Sequence, residues 1–291
     1  MKIDRVLIAG GTHGNELTGV FLINHWKKSK SIFSRFPFQT GLLLSNPKAV
    51  AQGKRYVDKD LNRCFLATND GSDLRAHEDL LARKIKKEFG SENRQDFVID
   101  MHTSTSNMGI TLMIEANRLN LAIADYVRSR VPEVNIYAFE PSERTQSCLR
   151  SLSPYAIGVE IGPVPQNLFC HGTIKKMETA VFSILEGIDA LNDQTDESAG
   201  QSFADIYTHV ENVPFPDEIV GTEFLVHEEV EKKSFQPLQK GDPIFINIYG
   251  EVIIYAGEEN LCPVFVNEAA YYDKNIAFSL VKKVEQFDSF G

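Results

Sequence analysis

Apolar runs of strand length alternate with amphipathic stretches of helix length over the first two-thirds of the chain. That alternation predicts an α/β protein, a sheet with helices on both faces. Beyond about residue 203 the texture changes to short β-rich pieces separated by Gly-containing turns, which predicts a smaller β-rich C-terminal domain. The domain organisation read from this change is 1–203 followed by 204–291.

In order, residues 4–10 read as a buried strand. A helix follows near 15–28, with Leu17, Val20, Phe21 and Trp26 on its inner face. Residues 41–44 suggest a second strand, ended by Ser45-Asn46-Pro47. Residues 73–89 look helical, with Leu74, Leu80, Leu81, Ile85 and Phe89 apolar and Gly90 as a stop. Strands are expected at 97–101, 134–139 and 156–161, and helices at 121–130 and 174–191. The polar stretch 192–202 has no periodicity and reads as a linker. After it, strands are expected at 204–210, 223–226, 243–248, 252–254 and 262–266, with Gly241-Asp242, Tyr249-Gly250 and Ala256-Gly257 as turns.

Composition narrows the function. The 291 residues are 43% hydrophobic and 24% charged, ordinary for a soluble globular protein. No apolar run approaches the roughly 20 residues that span a bilayer, and no signal-peptide pattern precedes the first strand, so a cytoplasmic protein is expected. The four cysteines form no Cys-x-x-Cys pair and read as free thiols of a reducing compartment. A net charge of −10 argues against a nucleic-acid partner. An acidic protein handling an anionic substrate must concentrate its cations locally, so clustered arginines carry information.

Two segments carry potential metal ligands. Gly10-Gly11-Thr12-His13-Gly14-Asn15-Glu16 places an imidazole and a carboxylate three residues apart at the end of the first strand. Asp100-Met101-His102 closes another strand. Strand carboxyl ends are where open α/β sheets gather ligands. His13, Glu16 and His102 together suit a catalytic zinc, which takes about three protein ligands and keeps one position for water. Asp100 either orients a ligating imidazole or caps the following loop.

Other candidates are less determined. Residues 55–63 pack three basic side chains, two acidic ones and Asn62 into nine positions. Such a run is either a self-neutralising loop or a place where Arg55 or Arg63 offers paired donors to a substrate oxygen. Arg150 is a further candidate. Glu160, in Gly158-Val159-Glu160-Ile161-Gly162-Pro163, is either a solvent-facing edge residue or a buried carboxylate whose raised pKa suits a general base. Tyr271 or Tyr272 offers a phenol to a ligand or packs on the surface. His25, His77, His171, His209 and His227 lack neighbours at ligand spacing and read as structural or exposed.

Taken together, Gly-Gly-Thr-His13-Gly-Asn-Glu16, Arg55-Tyr-x-Asp-x-Asp-Leu-Asn62-Arg63, Asp100-x-His102, Gly158-Val-Glu160-Ile-Gly-Pro and Asn267-Glu-Ala-Ala-Tyr271-Tyr resemble the aspartoacylase/succinylglutamate desuccinylase family. The likeness runs from about residue 4 to 275. It implies a mixed sheet with helices on both faces, similar to the zinc carboxypeptidases, and a C-terminal domain that narrows the entrance. It implies one zinc per subunit held by His13, Glu16 and His102, with Glu160 activating water and Arg55 polarising the scissile carbonyl. Asn62, Arg63, Arg150 and Tyr271 would hold carboxylates of a small anionic N-acyl amino acid, N-acetyl-L-aspartate above all. A homodimer is also implied. One position departs: the animal aspartoacylases have a tyrosine where this chain has Gln146. The alternatives are deacylation of an N-acyl aromatic amino acid or N-succinylglutamate, and a metal-binding protein without catalysis.

Overall fold

The computed structural model describes all residues except 1, 67–74, 141, 194–202, 204, 217–222 and 286–291, and the backbone only at 143 and 144. Twelve strands and seven α-helices are assigned among them. The strands are β1 (Arg5–Gly10), β2 (Gln39–Leu44), β3 (Phe97–Thr103), β4 (Gly109–Glu115), β5 (Val134–Phe139), β6 (Ala156–Gly162), β7 (Ile206–Pro214), β8 (Phe224–Val226), β9 (Pro243–Asn247), β10 (Val252–Ile254), β11 (Leu261–Val264) and β12 (Ile276–Val284). The helices are α1 (Leu17–Lys28), α2 (Pro47–Gln52), α3 (His77–Ile85), α4 (Arg118–Arg130), α5 (Glu143–Gln146), α6 (His171–Asn192) and α7 (Glu228–Lys232).

Nine strands form one mixed sheet in the order β11-β12-β7-β5-β4-β6-β3-β1-β2. Strands β1, β2, β3 and β6 run parallel, whereas β4 is antiparallel to β6. The register sets His102 of β3 opposite Glu160 of β6. A three-stranded sheet, β10-β9-β8, lies apart from the large one. Thus β7, β11 and β12, from the β-rich end of the chain, extend the large sheet itself.

The central strands are apolar because both faces are covered. Val6, Ile8, Ile99, Ile157 and Val159 meet Leu22, Ile23 and Trp26 of α1 and Met177, Val181 and Ile184 of α6 in one fully buried cluster. The opposite face packs Leu7, Ala9 and Val98 against Leu61, Phe65, Ala82 and Leu149. That second cluster carries the loops of the candidate site, so the site rests on core rather than on free loop.

Several elements differ from the sequence expectation. The expected helix at 73–89 begins at His77 and gives way to a wider-wound turn over Lys86–Glu92; residues 73 and 74 lie outside the described residues. Most of the expected linker, 194–202, lies outside them too. Strands β4 and β12 and helix α2 were not expected. In α2, Asn46 caps the helix by accepting from Ala49 N, and Pro47 stands in its first turn; the pair that reads as a strand terminator is also a helix start.

Two glycines of the first motif are required by close approach. A Cβ on Gly10 would sit 2.7 Å from the Gly19 carbonyl oxygen of α1, and one on Gly14 only 2.2 Å from the Ala49 carbonyl carbon. Gly14→Ala therefore forces backbone apart, the kind of overpacking that costs about 1–3 kcal/mol. Its melting temperature is expected to fall by roughly 5 °C or more; a melt coincident with the parent's would contradict this reading of the turn.

Candidate active site

β1 ends at Gly10, the chain turns through His13, and Glu16 stands immediately before α1. Glu16 N donates to His13 O at 3.2 Å, so the turn sets imidazole and carboxylate side by side. Glu16 Oε1 lies 2.6 Å from His13 Nδ1, and Oε2 lies 2.9 Å from His102 Nδ1. One ligand atom from each of the three residues falls within 4.8 Å of the others. Glu16 is 5% exposed and His13 also 5%.

Burial alone would push the Glu16 carboxyl up, yet the two imidazoles more than offset it and hold it well below its usual range. His102 moves the opposite way: against the cost of burial, Asp100 and Glu16 raise it well above the usual imidazole value. Each ring also has a carboxylate behind it. Asp100 Oδ2 lies 2.7 Å from His102 Nε2, and Asp60 Oδ1 lies 3.1 Å from His13 Nε2. Asp100 is itself held by Thr12 Oγ1 at 2.8 Å. Carboxylates in that position fix the ring and the tautomer, as they do behind metal-ligating histidines. Two imidazole Nδ1 atoms and a carboxylate converging in a buried pocket, each ring backed by a carboxylate, fit the donor set of a catalytic zinc.

Glu160 faces this cluster from β6. Burial raises its carboxyl to about 8, with Glu16 and Glu268 adding repulsion and His102 and Arg55 opposing it. Arg55 Nη1 donates to Glu16 Oε1 at 3.1 Å, and Nη2 lies 3.6 Å from Asp60 Oδ2. Its guanidinium therefore borders the cluster, close enough to Glu160 to oppose the rise of that carboxyl.

The remaining candidates spread around one cavity of about 660 Å³, lined in part by His13, His102, Arg55, Asn62, Arg63, Arg150, Glu160 and Tyr271. Arg63 donates to Asn62 O at 2.6 Å. Asn62 is also engaged within the protein: its Oδ1 accepts from Leu149 N at 2.9 Å, and its Nδ2 lies 3.3 Å from His102 Nε2. Arg150 donates from Nη1 to Met113 O at 2.5 Å and lies over the Phe139 ring, 4.9 Å from its centroid. Tyr271 packs against Phe265 with its ring tilted, centroids 5.5 Å apart. Tyr272 is 41% exposed and donates to Asn267 Oδ1. His209 is exposed at the rim, with Nδ1 2.9 Å from Tyr137 Oη. Gln146 lines a neighbouring crevice of about 200 Å³ together with Glu115 and Asn120.

Sequence reasoning missed three charged residues and an apolar wall. Asp60, read only as part of a charge run, backs His13. Lys274 brings a third cation near Arg55 and Arg63; burial first, then the two arginines, pull its ammonium down. Met113, Tyr137, Phe139 and Phe265 form an apolar wall. Glu268, 5% exposed, accepts through Oε2 from Ser104 Oγ, from Thr105 N at 2.8 Å and from Ser106 N at 3.3 Å, and through Oε1 from Ala270 N. It ties the loop after His102 to the segment that carries Tyr271.

Over residues 2–188 the sequence matches the succinylglutamate desuccinylase/aspartoacylase catalytic domain, and over 202–283 the AstE/AspA barrel-sandwich hybrid domain. The chain belongs to this family. It is similar to a probable aspartoacylase of Acaryochloris marina, 32% identical with 97% of this chain and 96% of that one covered. It is 35% identical to the N-acyl-aromatic-L-amino acid amidohydrolase (carboxylate-forming) of Xenopus tropicalis, over 97% and 93% of the two chains. Rattus norvegicus aspartoacylase is 34% identical over the same shares. The crystal structure of murine aminoacylase 3 superposes with a TM-score of 0.89 at 33% identity, covering 99% and 97% of the two chains. Succinylglutamate desuccinylase from Vibrio cholerae shares the fold, with a TM-score of 0.63 at 16% identity. As a member of the family the protein is an N-acyl-amino-acid amidohydrolase with a mixed α/β fold. No helix among its described residues is long and apolar enough to cross a membrane.

Glu268→Ala leaves the Ser104–Ser106 donors without their acceptor, a loss of about 1–3 kcal/mol for a buried group. The expected outcome is a lower melting temperature together with a raised KM, because Tyr271 loses its anchor. A variant with parental KM and melt would show that the tether is dispensable.

Proposed function

We propose that the protein is a zinc-dependent amidohydrolase that cleaves N-acetyl-L-aspartate to acetate and L-aspartate. His13, Glu16 and His102 hold the single ion and Glu160 serves as general base. The observation that carries this reading is the register of β3 and β6, which sets Glu160 beside His102 within the same buried cluster. When bound, zinc supplies a Lewis acid that lowers the pKa of the attacking water, and its charge favours ionised Glu160.

The chain's own groups do the rest. Glu160 takes the proton from the water that attacks the acyl carbonyl. Arg55 faces the oxygen on which negative charge develops; losing such a preorganised donor typically costs about 100- to 1000-fold in rate. Arg63, with Asn62 and Tyr271, holds the α-carboxylate, and Arg150 receives the second carboxylate. Glu160 then returns its proton to the departing amine. The C-terminal part, from about residue 204, closes the outer wall through Phe265 and Tyr271 and so selects small substrates. The free thiols are consistent with a cytoplasmic setting, and the implied homodimer is read out by sedimentation.

A second substrate has its own support. Gln146 lines the neighbouring crevice rather than the main cavity, and Arg150 is engaged with Met113 O and the Phe139 ring. Between Arg150 and Tyr271 the wall is Phe139, Tyr137 and Phe265, a surface suited to an aromatic side chain. The Xenopus relative, an N-acyl-aromatic-L-amino acid amidohydrolase, points the same way. Comparing kcat/KM for N-acetyl-L-aspartate and N-acetyl-L-tyrosine decides between the two: aspartate is favoured if Arg150 serves a carboxylate, and tyrosine by tenfold or more if the aromatic wall governs.

Glu160→Gln is expected to keep one zinc per chain and to lose about 100- to 10,000-fold in kcat; parental turnover would remove Glu160 from the role. The same variant has a pH signature in the metal-free protein. A carboxyl raised from 4.5 to about 8 on folding makes the folded state bind the extra proton between those values. Its contribution to stability is complete below pH 4.5 and lost as pH rises to 8. Melting temperature measured across that window should fall less steeply for Glu160→Gln than for the parent, and equal slopes would contradict the assignment.

A further inference from the structure

The segment from Arg55 to Asp60 has no regular structure before the short turn Leu61–Arg63, yet it carries Arg55 and Asp60 and leads straight into Asn62 and Arg63. Something outside it must hold its backbone. The Glu78 side chain, in the first turn of α3, is fully buried. Its Oε1 accepts from Val57 N at 2.7 Å and Asn46 Nδ2 at 3.0 Å; its Oε2 accepts from Asp58 N at 3.0 Å and Lys59 N at 3.2 Å. Three consecutive backbone amides thus close on one carboxylate, and those hydrogen bonds keep it ionised despite burial. The grip is reciprocal: Asp58 Oδ2 accepts from His77 N at 2.7 Å, capping α3 in turn. At the other end, Gly14 N donates to Arg55 O at 3.0 Å.

We infer that Glu78 is the positioning residue of this site: by binding the 57–59 amides it sets where Arg55 stands between Glu16 and Asp60. It touches neither substrate nor metal ligand, and its effect on catalysis passes through Arg55. Removing a buried charge-assisted acceptor leaves three amides unpaired, so the loop relaxes while the rest of the fold, built on separate clusters, stays in place. Glutamine at this position keeps the shape but turns an NH₂ donor toward amide donors. The inference rests on the reading of Arg55 as the oxyanion partner.

The test is a double-mutant cycle on the zinc-loaded full chain with the better of N-acetyl-L-aspartate and N-acetyl-L-tyrosine as substrate. Glu78→Gln is expected to lower kcat at least 30-fold and to speed hydrogen exchange selectively in the peptide covering 55–63. The double variant Glu78→Gln/Arg55→Ala should be no slower than Arg55→Ala alone, because both changes remove the same contribution. Lys59→Ala, which deletes only the partly exposed ion pair of Lys59 with Asp79, should stay within twofold of the parent. Parental kcat in Glu78→Gln, losses that multiply in the double variant, or unchanged exchange at 55–63 would each overturn the role. If Arg55→Ala itself is fully active, the reading of Arg55 fails instead. Should Glu78→Gln not fold, Glu78→Asp carries the same measurements, since it keeps the charge but is one methylene too short to reach all three amides.

Discussion

One buried carboxylate organises the catalytic end of this molecule. Glu16 faces His13 with one oxygen and His102 with the other, and it is nearly inaccessible to solvent. An isolated charge there would cost several kcal/mol in lost hydration. It is tolerated because cationic and hydrogen-bonding partners converge on it from three places: the turn after β1, the end of β3 through the His102 ring and the Thr103 amide, and the Arg55 loop. The turn after β1 is possible only because Gly10 and Gly14 let backbone approach backbone, so the packing of α1 on the sheet and the charge geometry are one constraint.

Around that carboxylate the support is acidic at every step. Asp60 and Asp100 back the two imidazoles, Glu78 holds the Arg55 loop, and Glu268 ties the Tyr271 segment to the loop after His102. Four of these side chains sit at 12% exposure or below, where unpaired carboxylates would be expensive. Their cost is offset by backbone amides and by a local concentration of cations, Arg55, Arg63 and Lys274, inside a chain of net charge −10. The outer wall of the cavity, by contrast, is aromatic, with Tyr137, Phe139 and Phe265 lining it.

Much of this was legible in the sequence, for identifiable reasons. Strands β1, β3, β5 and β6 are short apolar runs covered on both faces, and α1 and α6 have long periodic patterns. Strand β4 was missed because an alternating β/α pattern gives no sign of an antiparallel insertion between β5 and β6. In β12 the alternation breaks at Val281-Lys282-Lys283. His13, Glu16 and His102 could be picked out because their donors close strands. Asp60, Glu78 and Glu268 could not: an acidic residue whose partners lie distant in sequence, the His13 ring for Asp60 and backbone amides for Glu78 and Glu268, reads the same as a solvated one. Asn62 was read only as a substrate donor; its amide also meets Leu149 N and His102 Nε2, contacts that its sequence neighbours do not announce. Tyr137 and Phe139 look like core residues until the cavity beside them is known.

The central claim is that two imidazoles and one carboxylate from distant segments share a single cation. X-ray absorption at the zinc edge on the purified, zinc-loaded protein tests it most directly. The account predicts one zinc per chain with two imidazole nitrogens and carboxylate or water oxygens at about 2.0–2.2 Å, and loss of one imidazole shell in His102→Ala. A spectrum dominated by sulfur at about 2.3 Å, or one unchanged by removing His102, would contradict it.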